Sequence, residues 1–204
     1  MYGLPSLHAS NENPHGQENM SCEAMVVYYV ILGKLMSISI RQECNPYIDA
    51  VDQLNREAFG SDVEPKLIKL LREREELLIS LVAIDDDKII GHVCASPVTI
   101  NGNNHSIAGI GPLSVCKSHR CQGIGGMLME EVIVQLRNND YAAAVLLGDP
   151  NYYHRFGFSS GAAFGLQNEY NADDAFMAME LQLNSLVEIS GLVQYVSAFK
   201  EQGV

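Results

Sequence analysis

The sequence predicts an α/β or α+β domain, a central sheet with helices on both of its faces. Three observations lead there. Strand-like alternation and helical apolar stripes follow one another along the chain, an aspartate cluster breaks two long β runs into a hairpin, and one later stretch repeats its apolar residues every four positions. The 204 residues are 47% hydrophobic and 19% charged, a globular composition with length enough to bury a core without disulfides.

Ser37 to Gln42 (SISIRQ) alternates as a strand does. Asn45-Pro46 opens a helix through about Phe59, with Pro46 in the first turn, where its missing N–H is no loss. Pro65 repeats that start signal. Leu67, Leu70 and Leu71 then form the apolar stripe of a second helix whose polar positions hold Lys66, Lys69, Arg72 and Arg74. Leu77 to Ile84 and Lys88 to Val98 read as strands joined at Asp85-Asp86-Asp87. After a turn at Asn101-Gly102-Asn103-Asn104, a third β run extends from about Ser106 to Val115 and completes an antiparallel meander. Ile124, Leu128, Val132 and Leu136 mark the buried face of a helix from about Gly123 to Asn138. Tyr141 to Leu147 is a short apolar strand, a short helix follows, and Ala175 to Leu183 and Leu192 to Phe199 supply late strands.

A formal charge of −12, from 13 basic and 25 acidic residues, argues against backbone-driven nucleic-acid binding, which needs a basic face to neutralise phosphates. Such a field suits a cationic small molecule or a basic peptide. Cys22, Cys44, Cys94, Cys116 and Cys121 are odd in number and contain no C-x-x-C pair, so neither a disulfide scaffold nor a zinc site is indicated. A reducing cytoplasm is the simplest compartment. The apolar run Ala24 to Leu32 is about half of the ~20 residues a spanning helix requires, and Glu12, Glu18 and Glu23 precede it without any Lys or Arg, the reverse of a signal peptide. No membrane span and no export are expected. Residues 1 to about 21 are polar and aperiodic, as a disordered terminus is.

The window richest in chemistry is Gly109 to Gly126, GIGPLSVCKSHRCQGIGG. A strand ends near Val115, a polar loop follows, and Arg120-Cys121-Gln122-Gly123-Ile124-Gly125-Gly126 runs into the amphipathic helix. Glycines admit close approach of a ligand to the backbone, and the helix N-terminus offers unpaired N–H groups; together they make an anion cradle suited to a pyrophosphate. The dinucleotide fingerprint G-x-G-x-x-G fails because position 128 is Leu, and no Gly-Lys-Ser/Thr P-loop is present.

Arg120-x-x-Gly123-x-Gly125 resembles the R/Q-x-x-G-x-G/A acetyl-CoA signature of the GNAT N-acetyltransferase superfamily. Tyr153-His154-Arg155-Phe156-Gly157-Phe158 is similar to the Y-x-x-x-G-F string by which that family places a tyrosine near the CoA sulfur, and Pro112-Leu113-Ser114-Val115 to its strand whose backbone pairs with the pantetheine arm. Gly148-Asp149-Pro150, Glu64-Pro65-Lys66-Leu67 and Gly191-Leu192-Val193-Gln194-Tyr195 resemble a bacterial subgroup called YhbS-like.

The resemblance covers about residues 36 to 200. It implies a GNAT-like, mostly antiparallel central sheet flanked by helices, an acetyltransferase domain over 36–204, and a preface, residues 1–35, that is a disordered extension or a non-native start. It further implies acetyl-CoA as co-substrate with no metal, direct acetyl transfer to a primary amine of a small molecule or protein, and a possible homodimer. The CoA contacts fall on Leu113, Ser114, Val115, Arg120, Cys121, Gln122, Gly123, Ile124, Gly125 and Gly126.

Tyr153 is then the acid or hydrogen-bond donor to the departing thiolate, weighed against mere packing beside Phe156 and Phe158. Glu64 is a general-base candidate, weighed against ordinary charge complementing a helix dipole. His92, His105 or a water chain are alternatives for the base. A covalent acyl-cysteine at Cys116 or Cys121 is disfavoured because no histidine-acid arrangement marks either. Acceptor contacts are expected from about residues 58–66 and 159–175. Two other readings stay open: a non-catalytic acyl-CoA-binding module, and an acyltransferase that uses another acyl-CoA or an acyl carrier protein.

Overall fold

The computed structural model describes residues 38–203. The preface over 1–35 and the apolar run Ala24 to Leu32 lie outside them. Strand β1 (Ser39–Gln42) leads into helices α1 (Ile48–Phe59) and α2 (Val63–Glu73). Pro46 sits in a separate 3-10 turn, Asn45–Tyr47, so α1 proper starts later than the Asn-Pro signal implies. Strands β2 (Ile79–Asp85), β3 (Lys88–Ile100) and β4 (Asn103–Val115) form the expected meander. Both of its turns have two residues with positive φ: Asp86 and Asp87 at 45° and 62°, Asn101 and Gly102 at 50° and 79°. Asp, Asn and Gly tolerate that conformation, and its twist matches antiparallel strands.

Next come α3 (Ile124–Asn138), β5 (Ala143–Leu147), α4 (Pro150–Tyr153), β6 (Ser159–Ser160), β7 (Leu166–Asn168), β8 (Phe176–Glu180), β9 (Gly191–Tyr195) and α5 (Ser197–Gln202). The expected strand over Leu192 to Phe199 is therefore half strand and half helix. Ala198 and Phe199 bury themselves against Leu67 and Leu71 of α2, and neighbouring residues can share one face on a helix but not on a strand.

The nine described strands run in the order β1-β2-β3-β4-β5-β8-β6, with β9 paired to the far end of β3 and to β7. All pairs are antiparallel except β4 with β5 and β7 with β9. Helices cover both faces, as strand alternation requires. Leu81 packs with Leu128 and Val132 of α3, whereas the next residue, Val82, packs with Val51 of α1. The α3 stripe Ile124, Leu128, Val132 and Leu136 is at most 1% exposed, and burial of each such side chain contributes about 1.5–3 kcal/mol.

One feature of the sheet positions the site. Strands β4 and β5 pair only from Ile107↔Ala143 to Gly109↔Val145. Beyond that point β4 continues beside β3 to Val115 while β5 stays with β8 to Leu147. The two strands part, and the β5-facing edge of β4 from Ile110 onward has no partner among the described strands. A register shift against β3 near Gly111 and Pro112 marks a bulge at this point, the kind of irregularity that re-aims side chains beside active sites.

Candidate active site

Two cavities flank the parted strands. The first, about 250 Å³, is walled by Ile110 to Leu113 of β4, Glu64 and Leu67 of α2, and Tyr153 at the end of α4. Tyr170, Tyr195 and Phe199 close it from the C-terminal side, and Phe59 and Leu147 stand at its rim. The second, about 460 Å³, is lined by Val115, Arg120, Cys121, the turn Gly123 to Gly126, Tyr152 and Arg155. Leu113 lines one cavity and Val115 the other, as do the neighbours Tyr153 and Tyr152.

The second cavity holds the glycine turn that the sequence offers as an anion cradle. Cys121 (φ 60°) and Gly123 (φ 86°) turn the backbone into α3. Gly123 caps the helix with no side-chain bond, and no acidic residue occupies the first turn. The first N–H groups therefore keep their hydrogen-bonding capacity, with the positive end of the helix dipole behind them. Arg120 lines this space, but its Nε donates to the Val115 carbonyl and Nη2 to the Ala58 carbonyl, both at 3.2 Å. It thus also ties the loop to the end of α1. Gln122 turns back to the Ser118 carbonyl (3.0 Å) and does not line the cavity. Ser114 turns to the other side of the strand, as alternation demands, and its hydroxyl is buried there without a hydrogen-bond partner; only its backbone is placed for a ligand in the cleft.

Sequence reasoning missed Arg155. Its guanidinium lies 4.6 Å from the centre of the Tyr152 ring, and Nε donates to the Tyr152 carbonyl at 2.8 Å. The signal was present, since Arg155 is the one permanent cation inside the Tyr153 to Phe158 string.

The first cavity brings Tyr153 and Glu64 together from distant parts of the chain. The Tyr153 ring packs edge-on against Tyr152 (4.9 Å between centres) and Phe158 (6.1 Å). Burial, and secondarily the neighbouring Tyr152, pushes its hydroxyl up to about 12, so it is held in the protonated, donating form. Tyr170 is likewise pushed up to about 12 by burial and by Glu169. Glu64 sits in the first turn of α2 and accepts a hydrogen bond from Ser61 Oγ.

The histidines fall elsewhere. His105 lies near the hairpin end of β4, away from Ile110 to Leu113. His92 is fully buried in a hydrogen-bonded network on the α1 side of the sheet. Asn55 Nδ2 donates to the Val51 carbonyl (2.9 Å), which fixes the amide's orientation, and then to His92 Nδ1 (3.3 Å). His92 Nδ1 is therefore an acceptor and the proton sits on Nε2, 3.0 Å from Ser80 Oγ. Ser80 donates in turn to Glu43, which pairs with Arg72 at 2.7 Å. His92 is a satisfied core histidine.

Cys116 does have a histidine-acid neighbourhood, which sequence reasoning denied it. Its sulfur is 3.4 Å from Ser118 Oγ, which is 2.8 Å from His119 Nδ1, and His119 Nε2 is 3.7 Å from Asp85. Yet Cys116 lines neither cavity of the cleft; it borders a depression with Leu54 and Lys117. Among the described residues no group of three His, Cys, Asp or Glu side chains could hold a metal ion, and no helix is long and apolar enough to cross a membrane.

Comparison with known proteins identifies the family. The family described as acetyltransferase (GNAT) domain matches residues 39–161. The chain is 40% identical over 156 residues to an uncharacterized N-acetyltransferase of Escherichia coli K12, YhbS, covering 74% of this chain and 93% of the relative. The crystal structure of E. coli YhbS in complex with CoA superposes with a TM-score of 0.78 at 37% identity, over 80% of this chain and 92% of that one. A GNAT family acetyltransferase of Brucella melitensis in complex with acetyl-CoA gives 0.69 at 32% identity, over 79% and 97%.

Proposed function

The chain belongs to the GNAT acetyltransferase family, and from that premise we propose how its own residues carry acetyl transfer from acetyl-CoA to a primary amine. The observation that carries the reading is the meeting of Tyr153 and Glu64 in one cleft, where β4 parts from β5, beside the glycine cradle. Two relatives of the chain were crystallised with CoA or acetyl-CoA, and the cleft here has the parts for the same ligand. Pyrophosphate oxygens accept from the N–H groups at Ile124, Gly125 and Gly126, with the charges of Arg120 and Arg155 alongside. The pantetheine amides pair with the free edge of β4 at Leu113, Ser114 and Val115. Cys121 contributes backbone to the same turn, and Gln122 holds the loop through Ser118.

An alkylammonium has a reference pKa of about 10.4, so near neutrality a proton must leave before nitrogen can attack. Glu64, directly or through a water, takes it. The nitrogen lone pair then forms the N–C bond to the thioester carbonyl carbon, the C–S bond breaks, and its electron pair leaves on sulfur. The new amide nitrogen sheds a second proton, the thiolate gains one, and one proton is released overall. Tyr153, which lines the same cavity, supplies the hydroxyl that donates to that thiolate. Full transfer from a hydroxyl near 12 to a thiolate of reference pKa about 8.5 would cost on the order of 5 kcal/mol. Tyr153 therefore stabilises the leaving group by hydrogen bonding, and the thiol's proton comes from solvent.

A cytoplasmic setting suits the free thiols Cys44, Cys94, Cys116 and Cys121. The test of the whole reading is thiol release from acetyl-CoA across a panel of amines, with the acetylated product identified by mass. Amine-dependent release is expected. CoA binding without release on any amine would overturn the reading in favour of a binding module.

A further inference from the structure

Building on that transferase reading, we infer that the acceptor is a small primary amine with an aryl or branched-alkyl body and no acidic group. The walls of the 250 Å³ cavity are carbon: Leu67, Ile110, Pro112, Leu113 and Phe199, with the rings of Tyr153, Tyr170 and Tyr195. Glu64 is the one charged side chain among the described residues that line it. A negative group in an apolar, aromatic chamber draws an ammonium, which also gains from the faces of the rings. Among the described residues no lysine, arginine or histidine lines the chamber, so a carboxylate or phosphate on the acceptor would be desolvated without a partner there. A sugar-like or many-armed polyamine body fares little better, because three tyrosine hydroxyls are too few to replace its hydration. The volume, about 250 Å³, lies below the roughly 300–1,000 Å³ of drug-sized sites and suits a body of about a single ring and a short arm.

The aromatic wall is held in place by contacts among its own rings and by Glu169 behind it. Tyr170 and Tyr195 pack against each other (5.7 Å between ring centres), and Phe199 backs Tyr195 (4.8 Å). Glu169 accepts from the Tyr195 backbone N–H (3.1 Å). The chamber thus keeps its shape through contacts that involve no acceptor, as a site selective for a rigid apolar body requires.

The test compares kcat/KM for phenethylamine, phenylalanine, spermidine, ethanolamine and Nα-acetyl-lysine by thiol release from acetyl-CoA. Phenethylamine is expected to exceed phenylalanine, its carboxylated twin, and the two hydrophilic amines by at least tenfold. In Glu64→Gln, KM for phenethylamine should rise about tenfold while KM for acetyl-CoA stays within twofold. Phe59→Ala, a change at the exposed rim, should narrow the preference for phenethylamine over ethanolamine. Preference for phenylalanine, spermidine, ethanolamine or the lysine derivative overturns this inference and leaves the transferase reading standing. So does a preference for octanoyl-CoA over acetyl-CoA, which would place an acyl chain in the chamber. Release with no amine at all overturns both.

Discussion

The ring of Tyr153 occupies the space in which a side chain at Gly148 would lie: a Cβ added there would come 2.2 Å from Tyr153 Cε2. The glycine at the end of β5 thereby sets how deep the tyrosine sits in the cleft. Gly148→Ala must displace the ring, since 2.2 Å is far inside van der Waals contact. If Tyr153 acts at the sulfur, kcat should fall about tenfold or more while the dissociation constant for CoA stays within twofold. Steady-state thiol release with a parallel CoA titration checks it.

Gly125 separates stability from binding. A Cβ there would meet the Tyr152 hydroxyl at 2.7 Å, yet the position lies inside α3, where Ala is favoured over Gly by roughly 1 kcal/mol. Gly125→Ala should leave the melting temperature unchanged or higher and weaken CoA binding about tenfold, by pushing Tyr152 and the Arg155 stacked on it out of place. Thermal melts and CoA titration decide it together.

Arg155 lines the cradle together with the glycine turn. Replacing it by Ala should raise the dissociation constant for CoA about fivefold to tenfold at low salt. The loss should shrink as added salt screens this exposed charge. An effect of equal size at every salt concentration would mean that the side chain acts through packing on Tyr152.

Glu43 gives the stability of the domain a specific pH dependence. Burial pushes its carboxyl up, but hydrogen bonds linking it to His92 and Ser80, and the charge of Arg72, outweigh that and bring it down to about 2 from 4.5. The folded state therefore favours the ionised form. Its contribution is fully present above about pH 4.5 and is lost as pH falls toward 2. Glu43→Gln should destabilise the domain by about 1–3 kcal/mol near neutrality and flatten the decline in stability below pH 4.5. Urea unfolding of both proteins at pH 6 and pH 3 measures this.

Much of this architecture is legible in the sequence because it rests on local rules. Asp85-Asp86-Asp87 and Asn101-Gly102 fix the meander through turn chemistry, and the four-residue repeat of α3 fixes its buried face. The glycine turn and the Tyr153 string locate the two halves of the cleft. What the sequence hides is long-range. Tyr195 reaches the chamber because β9 pairs with the far end of β3, Val98 opposite Tyr195, and no periodicity announces such a pairing. The network of Glu43, Ser80, His92 and Asn55 likewise draws on three elements and the loop after β1, so an isolated His92 could pass for a base. Phe199 was hidden for a different reason, since its apolar run reads equally as strand or as helix.

The most direct test of the account is the pair of kcat and CoA affinity for Tyr153→Phe, a change that removes one hydroxyl and keeps the ring that packs on Phe158. The account predicts a kcat at least tenfold below that of the unaltered protein, with the dissociation constant for CoA within twofold. An unchanged kcat would contradict it and leave Tyr153 as packing alone.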